Sequence, residues 1–501
     1  MRQKKTYLKY LVIIFLVAAG LYANTLKNEF VSDDLAGIVN NPSISKVFLA
    51  PDPVAFSYSL NYLIAKLDPA AYHLFNIILH ALNSILVFFL LSLFFKERAC
   101  LLGALLFAAH PVHTEAVTWI SGRPYLMFTF FLLASFLFYT RATTGERINV
   151  AKSAASLTAY LFALYCSVFS FAFVFIPVFY DITFSKGRRG RRLWWMFFVL
   201  ALWRLFTLGS GIRERVDLVN LSNKGASLAN PVYNTAYSFF SHLKLLFWPA
   251  DLTLYHEPNI VSFWVLAAEV FILSVLLLSL PYLFKKAKEL FFALLIFIMF
   301  LSPTYSPVGI SWLVAERYLY FPSLALSILA AFFIEKYSGR KLISRAINLI
   351  LISVILLYSY LTVLRNADWK THESIWRATV KSSPLSPKAH NNMGDVYSRE
   401  GNLEGAAREF TRAIELKGDY ADAYHNLGHT YQIAGKLDQA IYNYKKAVSF
   451  NPRLYQSYRN LAVIYLKRGQ PARVKENLEK ALSLIPGDAG LRRALEELGR
   501  D

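Results

Sequence analysis

Apolar segments recur along the first 364 residues, each bounded by a short basic run, and this pattern commits most of the chain to helices in a bilayer. Hydrocarbon offers the backbone no hydrogen-bond partner, so a spanning segment must satisfy its own N–H and C=O groups. Lys9–Leu26 is almost purely apolar. At about 1.5 Å per residue it is long enough for a hydrocarbon core of about 30 Å. The chain is 55% hydrophobic and only 17% charged, where a soluble domain carries about 25% charged residues. Charge is also unevenly spread. Residues 1–364 hold 31 Lys and Arg and 17 Asp and Glu, while residues 365–501 hold 22 and 16. A membrane domain followed by a soluble one accounts for that break.

The formal charge of +20 does not point to nucleic acid. In the apolar half the basic residues cluster at Arg2–Lys9, Lys96–Arg98, Arg141–Lys152, Lys186–Arg192, Lys285–Lys288 and Lys336–Arg345, the pattern of cytoplasmic loops. Span parity then predicts about eleven spans, with Ser153–Phe184 a hairpin of two short helices and Tyr233–Trp248 lying along the interface. The first span is expected to be retained rather than cleaved. On this topology the loops holding Asp33-Asp34, His110–Glu115 and Ser302–Glu316 share the outer face with the C-terminal domain. A bacterial inner membrane, with that face periplasmic, is the expected setting. Cys100 and Cys166 lie in apolar stretches and imply no disulfide framework.

The C-terminal part repeats at a period of 34. Ala389, Ala423 and Ser457 are in register, as are Asn392, Asn426 and Asn460. Gly401, Gly435 and Gly469 mark turns, Ala413, Ala447 and Ala481 close helix contacts, and Pro452 and Pro486 repeat ends. This is the tetratricopeptide signature, two antiparallel helices per repeat. The expected fold class is all-α: a polytopic transmembrane domain over 1–364, a connector and partial repeat helix over 365–388, and an α-solenoid over 389–501. Such stacks present a groove suited to a protein or peptide partner, and Asn392, Asn426 and Asn460 are candidates to hold its backbone.

Four polar sets fall on the predicted outer face: Asp33-Asp34 with Asn40 and Asn41; Tyr72-His73 with Asn76 and His80; His110 to Glu115 with Ser121-Gly122-Arg123; and Glu316-Arg317. Ionisable groups at membrane depth are costly and mark sites or pathways. Apolar walls raise a carboxylate's pKa and leave it basic enough to accept a proton. The plainer alternatives are a solvated Asp-Asp loop, interhelical hydrogen bonds for His73, Asn76 and His80, and a structural ion pair for Glu316-Arg317. Imidazole and carboxylate suit zinc or manganese, so a metal on His110 and His113 stays open, although His-Pro-x-His is not a helical metal motif.

Phe30-Val31-Ser32-Asp33-Asp34, His110-Pro-Val-His-Thr-Glu-Ala-Val117, Gly122-Arg123, Asn230-Pro231 and Glu316-Arg317-Tyr-Leu-Tyr-Phe-Pro-Ser323, together with the repeats, resemble the membrane O-mannosyltransferases that carry C-terminal tetratricopeptide repeats. These belong to the lipid-phosphosugar-dependent glycosyltransferases of the C fold. The resemblance implies transfer of mannose or another hexose from a polyprenyl-phosphate donor, as substrate rather than cofactor, to a protein Ser or Thr hydroxyl. It implies an inverting attack with an Asp of the first external loop as general base. Asp34 assisted by Asp33 is the expectation, as base or acceptor-orienting carboxylate, and the sequence does not decide which of the two is catalytic. His110, His113, Glu115 and Glu316 would line the site, and Arg123 and Arg317 would approach the donor phosphate. The chain departs from the family pattern at Asp52-Pro53-Val54, Tyr125 and Ser167–Phe171. The competing reading is a catalytically inactive, membrane-anchored repeat scaffold.

Overall fold

A computed structural model describes residues 2–46, 52–185, 190–222, 231–250, 252–257, 262–305 and 312–498. Among these residues there is no strand. The chain divides into two compact units, Met1–His372 and Glu373–Asp501.

The first unit runs α1 (Arg2–Leu21), α2 (Pro53–Ala65), α3 (Pro69–Leu91), α4 (Glu97–Ala109), α5 (Thr114–Thr118), α6 (Arg123–Thr143), α7 (Val150–Cys166), α8 (Ile176–Phe184), α9 (Arg191–Ser222), α10 (Pro231–Phe247), α11 (Phe263–Lys286), α12 (Lys288–Phe300), α13 (Ser302–Tyr305), α14 (Leu324–Lys336) and α15 (Lys341–Asn366). Local chemistry sets several starts. Asp52 and Asp68 accept the Ala55 and Ala70 N–H groups ahead of prolines at the first helical position of α2 and α3, where the missing N–H costs nothing. The core is apolar and aromatic, with Phe88, Phe107, Phe128, Phe136 and Tyr160 almost or fully buried.

Six helices among the described residues are long and apolar enough to cross a membrane, or seven if the pair Glu97–Ala109 and Pro111–Thr118, bent by 51°, is one span. The remaining expected spans fall on α7, α8, α12 and α14, helices of 9 to 17 residues. Length alone therefore supports fewer spans than the eleven that parity suggested. The stretch 153–184 is broken at Ser167, between α7 and a 3-10 turn leading into α8. Two basic residues reach the C-terminal ends of other helices: Lys96 pairs with Glu335 of α14 at 3.0 Å, and Lys288 donates to the Thr183 carbonyl of α8 at 2.7 Å. Cys100 and Cys166 are buried free thiols.

The second unit contains most of α16 (His372–Ser382), then the helix pairs α17 (Pro387–Arg399) and α18 (Leu403–Leu416), α19 (Ala421–Ile433) and α20 (Leu437–Phe450), α21 (Tyr455–Lys467) and α22 (Pro471–Leu484), and finally α23 (Ala489–Leu498). Gly401, Gly435 and Gly469 turn each pair at φ of +77°, +76° and +64°, a region open to glycine without steric cost. The in-register Ala389, Ala423 and Ser457, and Ala413, Ala447 and Ala481, are all fully buried, as close helix packing requires.

Candidate active site

The loop after α1 carries the aspartate pair, and the two side chains have opposite fates. Ser32 adopts φ +54°, a left-handed conformation uncommon outside glycine. The reversal sends Asp34 inward, where it is fully buried, and leaves Asp33 exposed. Asp34 Oδ1 accepts the Ser121 N–H at 2.8 Å and the Ser121 hydroxyl. Its Oδ2 accepts the Val31 N–H at 3.1 Å. Burial pushes the Asp34 carboxyl up to about 7, against the pull of the Ser121 and Val31 donors. Of the two aspartates expected to serve the acceptor hydroxyl, Asp34 thus has both oxygens engaged by the protein. Asn41 serves the same loop, donating to the Gly37 carbonyl and accepting the Ser43 N–H, while Asn40 ends the helical turn Leu35–Val39.

Ser121 is held in place by its neighbour. A Cβ on Gly122 would lie 2.6 Å from the Ala116 carbonyl oxygen and 2.8 Å from that of Glu115, so only glycine lets the chain pass over α5 this closely. Arg123 follows, fully buried. Its guanidinium donates to Asn76 Oδ1 (2.8 Å), Asn61 Oδ1 (2.7 Å), Ser57 Oγ (3.1 Å) and the Tyr72 carbonyl (3.1 Å), between the faces of Tyr58 and Phe75. These groups bind α2, α3 and α6 together around the guanidinium that the resemblance places near the donor phosphate.

Glu115 and Glu316-Arg317 are close, but the ion pairs cross. Glu115 accepts the Arg317 backbone N–H at 2.8 Å and pairs with its guanidinium. Glu316 turns the other way, to Arg365 at 3.3 Å, and Arg365 also pairs with Asp368 at 2.8 Å. His256 Nε2 lies 3.8 Å from Glu316. Arg365, Asp368 and His256 were missed from sequence. In sequence Arg365 marks only the change of composition between the two parts, and the fold returns the end of α15 to the loops.

Under this layer lie the histidines. His80 Nε2 donates to the Ala108 carbonyl (3.1 Å), which leaves Nδ1 of the neutral ring to accept the Tyr320 hydroxyl at 2.7 Å. Asn83 donates to the same hydroxyl. His110 Nε2 donates to the Leu246 carbonyl at 2.8 Å, and His113 Nε2 bonds Ser323 Oγ at 2.8 Å. His73 is buried in α3. The His110 and His113 rings are 5.6 Å apart, with these nitrogens committed to different partners. Among the described residues no three His, Cys, Asp or Glu side chains gather as a metal site.

A cavity of about 600 Å³ opens beside the loop, lined by Gly37, Asn41, Ser43, Lys46, Asp52 and Tyr58 among others. Tyr58 donates to the Ile120 carbonyl at 3.0 Å, next to Ser121. Sequence motifs touched its lining at Asn41 and Asp52–Val54 but did not mark a cavity, since its polar residues come from the loop after α1 and from the start of α2 with no shared spacing.

In the second unit the three asparagines are half-buried. Asn392 donates to the Lys388 carbonyl (2.9 Å), Asn426 to Asn391 Oδ1 (3.0 Å) and Asn460 to the Tyr444 hydroxyl (3.0 Å). Tyr444 in turn donates to Gln432 Oε1 at 2.7 Å.

Tetratricopeptide-repeat family models match residues 385–453 and 455–488. Over about four fifths of its length the chain is similar to curated proteins named protein O-mannosyl-transferase. TMTC3 of Mus musculus is 27% identical across 82% of this chain and 51% of its own length. TMTC3 of Homo sapiens is 27% identical across 82% and 52%, and TMTC4 of Homo sapiens 25% identical across 80% and 65%. The chain therefore spans about half of the TMTC3 relatives and less than two thirds of TMTC4. It is a multi-pass membrane protein in its apolar part and a repeat protein in the rest. The relatives come from mouse and human and lend no support to a bacterial inner membrane.

Proposed function

We propose that the chain is an integral-membrane glycosyltransferase that moves a hexose, mannose by its relatives' names, from a polyprenyl-phosphate donor to a protein Ser or Thr hydroxyl. One observation carries the reading: an exposed carboxylate, Asp33, stands on a loop anchored by a buried one, Asp34, beside a cavity lined by both polar and apolar side chains in a unit built of apolar helices. A lipid-linked donor accounts for embedding such a site in a membrane.

In this reaction Asp33 takes the proton of the acceptor hydroxyl while the hydroxyl oxygen attacks the anomeric carbon. The bond from that carbon to the phosphate oxygen breaks, and its electron pair leaves with the polyprenyl phosphate. Configuration inverts in the single displacement. Arg317, steered by Glu115 and close to the Trp119 and Tyr318 rings, is the cation suited to the leaving phosphate. The repeats supply the surface for acceptor protein, where the side-chain carbonyls of Asn392, Asn426 and Asn460 would meet a peptide backbone.

The test is incorporation of labelled mannose from polyprenyl-phosphate mannose into peptide by the purified protein. Asp33→Asn should lower transfer by about 10²–10⁴-fold, the usual worth of general-base catalysis, with the protein still folded. Wild-type transfer by Asp33→Asn would overturn the assignment. Absent transfer by the native protein, with acceptor still bound, would favour the scaffold reading.

A further inference from the structure

We propose that the segment leaving α15, Asn366 to His372, positions the aspartate loop, with His372 the residue that fixes its conformation. This deepens the glycosyltransferase reading and rests on it for its catalytic part. The loop lies some 340 residues away in sequence, yet a continuous seam of hydrogen bonds joins the two. Asn366 Nδ2 donates to Asn24 Oδ1 at 2.8 Å and to the Leu21 carbonyl at 2.9 Å. Asn28 Nδ2 donates to the Asn366 carbonyl at 3.4 Å, and the Glu29 N–H to the Lys370 carbonyl at 2.9 Å. Trp369, fully buried, stacks on Trp119 with ring centroids 6.0 Å apart. At the end of the seam the Ser32 N–H donates to His372 Nδ1 at 3.4 Å.

Ser32 is the residue with positive φ, and its turn separates an outward Asp33 from an inward Asp34. A non-glycine residue in that region costs about 1–3 kcal/mol and persists only where its surroundings over-determine it. Asp34 fixes the loop from one side through Ser121, and His372 fixes it from the other. His372 is thus a positioning residue: it touches no reacting atom and acts through the Ser32 backbone.

Amide exchange and transfer kinetics of the full chain in detergent test this together. His372→Leu removes the acceptor and keeps the bulk, whereas His372→Asn places a carbonyl oxygen near the position of Nδ1. In the Leu variant, exchange in the peptide spanning Glu29–Asp34 should rise about fivefold. Turnover should fall about fivefold with KM for the acceptor within about twofold, since a net hydrogen bond is worth about 1 kcal/mol. The Asn variant should recover both. Unchanged exchange in His372→Leu, or equal losses in the Asn variant, would overturn the positioning role. If the native protein transfers no sugar, the exchange arm still decides whether His372 holds the loop, and only the catalytic reading fails.

Discussion

Asp34 shows how burial and hydrogen bonding compete within one carboxylate. Three donors favour the ionised form, yet desolvation prevails and the group titrates near 7. The ionised state accepts from both Ser121 donors and from Val31, but burial disfavours it, so loop order and transfer should fall together as pH passes about 7. Asp34→Asn should flatten that limb of the pH–rate profile, and an equal fall in the variant across the same window would contradict it. Stability has the same sign. With the folded pKa raised above its ordinary value, the native state binds the proton more tightly. Its contribution is present below the unfolded pKa near 3.8 and is lost as pH rises through about 7. Thermal unfolding of Asp34→Asn should therefore vary less with pH between these limits than that of the native chain.

At the scale of elements, the close crossing over α5 decides where Ser121 stands. Gly122→Ala meets backbone oxygens rather than a side chain that could swing aside, so the segment from Trp119 to Arg123 must move. Transfer should fall at least about tenfold and unfolding free energy by about 1–3 kcal/mol, the range for overpacking. Native-like activity and melting would show that the segment can shift without cost. In the repeats, His390 Nδ1 meets Glu409 at 2.7 Å and its Nε2 lies 3.0 Å from the Pro384 carbonyl, tying α17 to α18. The hydrogen bond to Glu409 raises its pKa above the usual histidine value although burial opposes it. The protonated ring then stabilises the array fully below about 6.5, and this stability is lost as pH rises through the raised value. Glu409→Gln should remove that dependence in a melting series, and an unaltered series would rule the pair out as its source.

For the molecule as a whole, Lys96 and Lys288 reach the C-terminal ends of α14 and α8, while the segment leading to the aspartate loop meets the end of α15. If the basic runs face the cytoplasm, thiols at Ser43 and Glu146, both exposed, lie on opposite sides of the membrane. A membrane-impermeant maleimide applied from outside should label Ser43→Cys and spare Glu146→Cys in intact cells. Labelling of both from one side would break the topology.

The sequence by itself determined the helical class, the division into an apolar and a repeat unit, and the candidate motifs. Each depends on local periodicity: apolar length for a span, a 34-residue register for the repeats, adjacent carboxylates after α1. It did not fix the number of spans, because α12 and α14 are short helices that hydropathy does not distinguish from full crossings. Tertiary structure alone decided what each charged group does. Arg123 is surrounded by neutral acceptors from α2 and α3, Glu115 meets Arg317 while Glu316 meets Arg365, and the turn at Ser32 separates Asp33 from Asp34. These outcomes depend on which distant side chains converge and on how water is excluded around them. Residue spacing along the chain carries neither.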